Sequence, residues 1–128
     1  ETAFQILFAI KSNPANDPQD LYQQLRQQDE TMPAIMPEYL EKLITGVQRQ
    51  LPEINPVIAA HLKKGWLLER LNKTDLVIMQ IAVFEIQFVK ETPNKVAINE
   101  ALELARKFSD ENARRFINGV LSNLIVTD

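Results

Sequence analysis

One segment of the chain is apolar on nearly every side, and this limits the folds that the chain can adopt. Between Leu76 and Ile86 the only polar residues are Gln80 and Glu85. A helix that is apolar all round must be surrounded by other parts of the protein. The β-branched residues would also permit a strand, but the segment is long, contains no turn signal and lies between helical patterns. We therefore predict a central buried helix that begins at Thr74 or Asp75.

The rest of the chain shows helical spacing interrupted by prolines, without the alternation that indicates strands. Asp17–Pro18 is typical of a capping carboxylate followed by a first-turn proline. A helix that begins at Glu38 is predicted to end near Leu51–Pro52, and Asn55–Pro56 is predicted to begin another. The pattern predicts an all-α fold of about seven helices.

The last two helices are predicted at Lys95–Phe108 and from a cap at Ser109 or Asp110 to about Leu124. Residues 1–128 are predicted to form a single domain. Its N-terminal half would span about 1–52 and its C-terminal half about 53–128.

The composition argues against several classes of function. The chain has no cysteine and one histidine, His61, which excludes cysteine chemistry and multi-histidine metal sites. Its three glycines are scattered, so it has no glycine-rich phosphate loop. We therefore predict no metal and no cofactor, and an enzyme is the class that the residues favour least. No apolar run reaches the length of a membrane span, and the lack of cysteine fits a reducing, cytoplasmic setting.

The charge of the chain indicates limited contact with nucleic acid. The net charge of −3 argues mildly against indiscriminate binding, and the basic runs are short: Lys63–Lys64, Arg106–Lys107 and Arg114–Arg115. Basic residues near a helix start gain nothing from the helix dipole, so Arg114–Arg115 favours an anionic partner. Phe116 beside them is either a core residue or one that stacks on an RNA base.

Several residues are singled out because helix packing alone does not require them where they are. Asn99 is predicted to face inward with a polar partner, since a buried unpaired amide is costly. Asn118 would bond either a neighbouring loop or a base edge. Gly119 indicates close approach of two helices or of an RNA backbone. Trp66 is predicted to pack into the core, and Asp75 to cap the central helix.

These motifs occur in an order that closely resembles the NusB family of bacterial transcription antitermination factors. The most specific are Val-Ala-Ile-Asn-Glu-Ala after Lys95 and Phe-Ile-Asn-Gly-Val-Leu from Phe116. Weaker similarity covers Ala3–Phe8, Leu43–Val47, Trp66–Leu71 and Asp75–Ile86. The resemblance implies two packed helical bundles that bind boxA RNA together with the ribosomal protein NusE, within the RNA polymerase antitermination complex.

The resemblance also implies which residues meet each partner. By position, Phe8 and Asp75 match places where the family meets NusE. A second set of residues matches places near the RNA or flanks them, and we predict that it forms the RNA surface. It comprises Lys95, Asn112, Arg114, Arg115, Phe116 and Asn118.

Three departures from the family pattern bear on RNA affinity. The family's arginine-rich start would precede Glu1, and Glu1 itself is not methionine, which indicates a missing or processed N-terminus. Gln80 and Phe84 stand where the family usually has arginine and tyrosine. Ser109 replaces a glycine that is usual after the Lys-Phe pair.

Two other interpretations remain open at this point. NusB-like domains also form the front of ribosomal-RNA cytosine methyltransferases, which would require a chain that continues well past Asp128. The ending at 126–128 is instead typical of a finished chain. The third class is a helical adaptor or homodimer that does not bind RNA.

Overall fold

The computed structural model describes residues 1–125, and within them it contains six α-helices, one 3₁₀ turn and no strand. The α-helices are α1 (Thr2–Ser12), α2 (Pro18–Gln28), α3 (Glu38–Ala60), α4 (Lys73–Phe88), α5 (Asn94–Phe108) and α6 (Glu111–Ile125), and the 3₁₀ turn is Leu68–Arg70. The predicted all-α fold is confirmed, with a helix count close to the predicted seven. None of the described helices is both long enough and apolar enough to cross a membrane. The chain end predicted at 126–128 lies outside the described residues.

The apolar segment forms α4, and this helix lies at the centre of the molecule, as predicted. Every residue from Leu76 to Phe84 is buried, and α1, α3, α5 and α6 all pack against α4. The one polar residue in that run, Gln80, is 5% exposed, and its Nε2 donates to Oδ1 of Asn55 in α3 at 2.9 Å. This hydrogen bond pairs an amide whose burial would otherwise be costly.

Helix α3 is longer than predicted because it continues through two prolines. The predicted helix end near Leu51–Pro52 and the predicted start at Asn55–Pro56 are both wrong. A proline inside a helix removes a backbone donor and costs about 3 kcal/mol or more. Here both prolines are exposed, whereas Ile54 and Ile58 on the opposite face are completely buried. Burial of each isoleucine contributes roughly 1.5–3 kcal/mol, which offsets much of that cost. The predicted boundary between the two halves of the chain falls inside this continuous helix.

The caps of three helices test the predicted helix starts. Asp17–Pro18 begins α2 as predicted, with the aspartate accepting a backbone N–H at 3.2 Å. Asp110 caps α6 and accepts a backbone N–H three residues further on at 2.8 Å. The prediction for α4 is wrong, because the cap is Asn72, which accepts the N–H of Thr74 at 2.7 Å. Asp75 lies in the first turn of α4, where its side chain is available to another helix.

Close approach of two helices occurs at a different glycine from the one predicted. A Cβ placed on Gly119 would have no atom outside its own helix within 4 Å, so the predicted helix contact at that position is wrong. A Cβ placed on Gly46 of α3 would instead collide with the ring of Phe84 in α4. Gly46 therefore lets α3 pack closely against the central helix.

Candidate nucleic-acid interface

The predicted RNA-binding arginines lie on the first turns of α6 and are held only loosely. Nη1 of Arg114 lies 3.5 Å from Oε1 of Glu111, and Nε of Arg115 lies 3.8 Å from the same oxygen. The Arg115 side chain is 75% exposed. Exposed ion pairs of this kind contribute little free energy, so both guanidinium groups remain able to bind an anion. Glu111 also places a negative charge in the first turn, where the helix dipole favours it.

Phe116 follows the arginines, and its ring is stacked on the indole of Trp66. The two ring centroids are 5.4 Å apart and the planes differ by 25°. Trp66 is 53% exposed, so the prediction that it packs into the core is wrong. Phe116 itself is half-buried and packs against the edge of the core. Phe116 thus packs on the core, which is one of its two predicted alternatives, and its ring also supports the exposed ring of Trp66. Stacking of Phe116 on an RNA base stays a prediction.

The loop before the 3₁₀ turn explains why Trp66 is exposed. The backbone N–H of Trp66 donates to the backbone carbonyl of Lys63 at 3.0 Å, and this hydrogen bond closes a tight turn. Gly65 has a φ of +90°, a conformation that strains residues with a Cβ. This turn places Trp66 against the outside of α6 rather than beneath it. Lys63 and Lys64, which precede Gly65, are both exposed.

Trp66 is a candidate RNA-binding residue that was not predicted from the sequence. The signal available was an aromatic residue one position after a pair of lysines and a glycine, Lys63–Trp66. A large aromatic residue is more often buried, and nothing local to this segment indicates that it packs on Phe116. That contact joins two distant parts of the chain, so only the fold reveals it.

The other predicted RNA-binding residues are exposed but less closely grouped. Asn112 lies in the first turn of α6, next to the arginines. Asn118 is exposed further along α6, and its Oδ1 accepts the hydroxyl of Ser122 at 3.1 Å. Lys95 lies in the first turn of α5, whereas α6 begins just after the far end of α5. About 20 Å of helix therefore separates Lys95 from the turn that leads to the arginines.

The polar residues of α5 lie on its solvent-exposed face. Asn99 is exposed, so the prediction that it faces inward is wrong. Further along α5, a surface ion pair joins Nη2 of Arg106 to Oε2 of Glu103 at 2.6 Å. Among residues 1–125, no group of three or more His, Cys, Asp or Glu side chains could hold a metal ion.

The two predicted partner-binding residues both connect to the end of α5. Phe8 is half-buried, and its ring lies 5.9 Å from that of Phe4, which in turn lies 4.8 Å from the ring of Phe108. Oδ1 of Asp75 accepts the hydroxyl of Ser109 at 3.0 Å. Phe108 and Ser109 are consecutive, so the structure links both residues to the turn that precedes α6.

Asp75 is a partly buried carboxylate. Burial raises its pKa, the hydrogen bond from Ser109 opposes that shift, and the nearby charge of Asp110 adds to it. A carboxylate in this position is stabilised by any cation or donor that a partner supplies.

A second titratable group lies in an open cavity of about 700 Å³ between α1, α4 and α5. Burial raises the pKa of Glu85 to about 7, and the charge of Glu100 adds to the shift. Most of the cavity surface is apolar, with contributions from Phe4, Ile78, Ile81, Ala97, Ala101 and Leu104. Glu100 and Glu103 also line this cavity, so Glu85 is a poorly hydrated carboxylate close to other negative charges.

The similarity of the chain to known proteins shows its family. A sequence model described as the NusB family matches residues 1–126. The chain belongs to the NusB family. The transcription antitermination protein NusB of Lactiplantibacillus plantarum is 47% identical over 98% of this chain and 90% of that protein. The corresponding NusB of Pediococcus pentosaceus is 48% identical over 97% of this chain and 92% of that protein.

Solved NusB structures share the fold of this chain. T. maritima NusB matches with a TM-score of 0.82 and 30% identity, over 96% of this chain and 84% of the other. A crystal structure of the antitermination factors NusB and NusE in complex with double-stranded RNA matches with a TM-score of 0.82 and 26% identity, over 99% and 92%. The resemblance to NusB that the motifs indicated is confirmed, and these relatives support the antitermination interpretation rather than the methyltransferase one.

Proposed function

We propose that this NusB-family chain is a transcription antitermination factor that binds the boxA element of nascent ribosomal RNA together with NusE. It acts without catalysis, in the cytoplasm, as part of the RNA polymerase antitermination complex. The names of its relatives and the similar NusB–NusE–RNA structure support this function. The observation that carries it is the start of α6, where Arg114 and Arg115 directly precede Phe116, whose ring is stacked on the exposed indole of Trp66. Cations beside exposed aromatic rings are a common means of binding unpaired RNA.

The proposed RNA surface includes the exposed side chains of α6 and the start of α5. Arg114 and Arg115 neutralise phosphates, and the amides of Asn112 and Asn118 bond base or sugar edges. Lys95 binds the backbone at the far end of the same surface. NusE docks on Phe8 and Asp75, near the end of α5.

We assign unpaired RNA to this surface because an exposed ring needs a free base face. The bases of a duplex are already stacked on both sides, so a duplex would use phosphate contacts alone. The similar NusB–NusE structure contains double-stranded RNA. A duplex is therefore the informative competitor in any binding experiment on this chain.

We also propose that residues 1–128 act as one NusB-like domain. Its N-terminal half (about 1–52) and C-terminal half (about 53–128) are joined by the continuous helix α3. The long apolar face of that helix, including Ile54 and Ile58, supports this arrangement because both residues belong to the single core.

The test is a titration of labelled single-stranded boxA RNA into the chain, with and without NusE, at two salt concentrations. Binding should tighten when NusE is present and weaken as salt rises, since phosphate contacts release counterions. Lack of RNA binding even in the presence of NusE would contradict the proposed function.

A pair of variants places the interaction on α6. The double substitution Arg114→Ala with Arg115→Ala should weaken RNA binding about tenfold or more and lower its salt dependence. Arg49→Ala, which removes an exposed arginine from α3, is the matched control and should change the affinity less than twofold. Equal effects of the two changes would mean that the arginines of α6 contribute only general charge.

A further inference from the structure

Trp66 offers an aromatic surface of which only one side is covered by a helix. Phe116 covers one side of the indole, yet Trp66 remains 53% exposed. Exposed tryptophan is unusual, because burial of its large ring is strongly favourable. The turn at Gly65 and the ring of Phe116 together hold the indole outside the core in a defined orientation.

The charges near this indole are those that a nucleic acid requires. Lys63 and Lys64 belong to the same turn as Trp66 and are exposed. Arg115 directly precedes Phe116 and is 75% exposed. Cationic residues therefore adjoin each ring of the pair along the chain, Lys63 and Lys64 near Trp66 and Arg115 next to Phe116, in a chain whose net charge is −3. An exposed ring can stack on a base while cationic residues near it in the chain bind the neighbouring phosphates.

We propose that Trp66 is the base-stacking residue of the RNA site and that Phe116 is its positioning residue. Lys63 and Lys64 bind the phosphates on either side of the stacked base. The site takes one unpaired base of a single-stranded RNA, of any sequence, because every base has an aromatic face. This inference rests on the proposed function, since it adds the Lys63–Trp66 turn to the RNA surface of α6.

Trp66 is the only tryptophan of the chain, so its fluorescence reports directly on stacking. The experiment titrates a short single-stranded boxA RNA into the complex with NusE and follows indole emission together with the anisotropy of a label on the RNA. The same complex carrying Trp66→Phe supplies the background from NusE. We expect RNA binding to quench the Trp66 emission at the concentrations at which anisotropy rises. A duplex of the same sequence should produce little quenching.

Affinity of variants provides the second measurement. Trp66→Ala should weaken binding of the single strand by about 5- to 100-fold, the range for loss of one base stack. Tyr39→Ala is the matched control, because Tyr39 is 74% exposed and lies at the other end of α3. Roughly 30 Å of helix separates Tyr39 from the Lys63–Trp66 turn, and its removal should change the affinity less than twofold.

The role of Phe116 is tested through the state of the indole. Phe116→Leu should shift the emission of Trp66 in the RNA-free chain and reduce its quenching by RNA, whereas Phe116→Tyr should restore both. Loss of packing alone would lower the melting temperature without this rescue of the spectrum. The lysines are tested through salt dependence. Lys63→Gln with Lys64→Gln should make the negative slope of log affinity against log salt shallower by about 1.4. Lys42→Gln on α3 should leave that slope unchanged.

The outcomes separate this inference from the proposed function. Anisotropy that reports tight RNA binding without quenching, together with a Trp66→Ala affinity within twofold of wild type, would overturn the stacking role and leave the RNA-binding function intact. Equal quenching by the duplex would overturn recognition of an unpaired base. Weaker NusE binding by Trp66→Ala without RNA would make Trp66 a protein contact instead. If neither RNA binds with NusE present, both proposals fail.

Discussion

At the scale of single residues, Gly46 and Gly119 both lie inside helices, yet a methyl group should have opposite effects at the two positions. At Gly119 nothing lies near the added Cβ, so Gly119→Ala should raise the free energy of unfolding by up to about 1 kcal/mol through helix propensity. At Gly46 the added Cβ collides with the ring of Phe84, which is itself stacked on Phe88. Gly46→Ala should therefore lower the free energy of unfolding by about 1–3 kcal/mol. Urea denaturation measures the free energy of unfolding of both variants. Equal changes in Gly46→Ala and Gly119→Ala would contradict the close packing of α3 on α4.

Glu85 should make stability depend on pH. Burial and the charge of Glu100 raise its pKa from 4.5 to about 7, so the folded state binds a proton more tightly than the unfolded state. The resulting stabilisation is fully present below pH ~4.5 and is lost as pH rises through about 7. Because Glu85 is only partly buried, solvent screening reduces the effect to about 1–2 kcal/mol.

The substitution Glu85→Gln isolates this effect. The variant should match the wild-type free energy of unfolding near pH 4 and exceed it by about 1–2 kcal/mol at pH 8. Glu53→Gln, which alters an exposed carboxylate of α3, is the control and should show the wild-type pH profile. If the free energy of unfolding varied with pH in the same way in the wild type and in Glu85→Gln, the pKa of Glu85 would not be raised.

Trp66 shows why some single residues could not be placed from the sequence. The preference of a large apolar ring for burial is an average, and the prediction that Trp66 packs inside followed that average. Its actual position depends on a positive φ at Gly65 and on the availability of Phe116, which lies on a different helix. Asp110, by contrast, was one of the two caps predicted for α6, because a cap depends on residues within one turn.

At the scale of helices, α4 and α3 show where pattern succeeds and where it fails. A segment that is apolar on every side has few alternatives to burial, and α4 is buried as predicted. In α3 the local signal of Pro52 and Pro56 predicted a break, but burial of Ile54 and Ile58 against the core outweighs it. Tertiary packing of this kind is not visible in the local sequence, so helix ends were less predictable than helix positions.

Pro52 and Pro56 should therefore destabilise the folded protein by a measurable amount. Pro52→Ala and Pro56→Ala each restore a backbone donor, and each should raise the free energy of unfolding by about 1 kcal/mol or more. The increase should be smaller than the full cost of a proline inside a helix. Alanine also raises the conformational entropy of the unfolded chain, which favours unfolding. Pro18→Ala is the matched control, since proline in the first turn of α2 loses no hydrogen bond. Thermal and urea denaturation measure all three, and destabilisation by either α3 substitution would contradict this account.

At the scale of the whole molecule, the candidate sites combine segments that are distant in sequence. The motif at the start of α6 was identified from sequence because Arg114, Arg115 and Phe116 are consecutive. The contribution of the Lys63–Trp66 turn was not, because it reaches α6 only through the fold. The link from Asp75 to Ser109 likewise joins the start of α4 to the turn before α6. The proposed NusE and RNA surfaces thus meet at one turn of the molecule.

This shared turn predicts coupling between two separable sites. Arg114→Ala with Arg115→Ala should weaken RNA binding about tenfold or more while NusE affinity without RNA stays within twofold of wild type. Phe8→Ala should do the reverse. In the wild type, the factor by which NusE tightens RNA binding must equal the factor by which RNA tightens NusE binding. Calorimetric titration of each ligand in the absence and presence of the other measures both factors. Equal RNA affinity with and without NusE would show that the two surfaces, although adjacent at the α5–α6 turn, bind their partners independently.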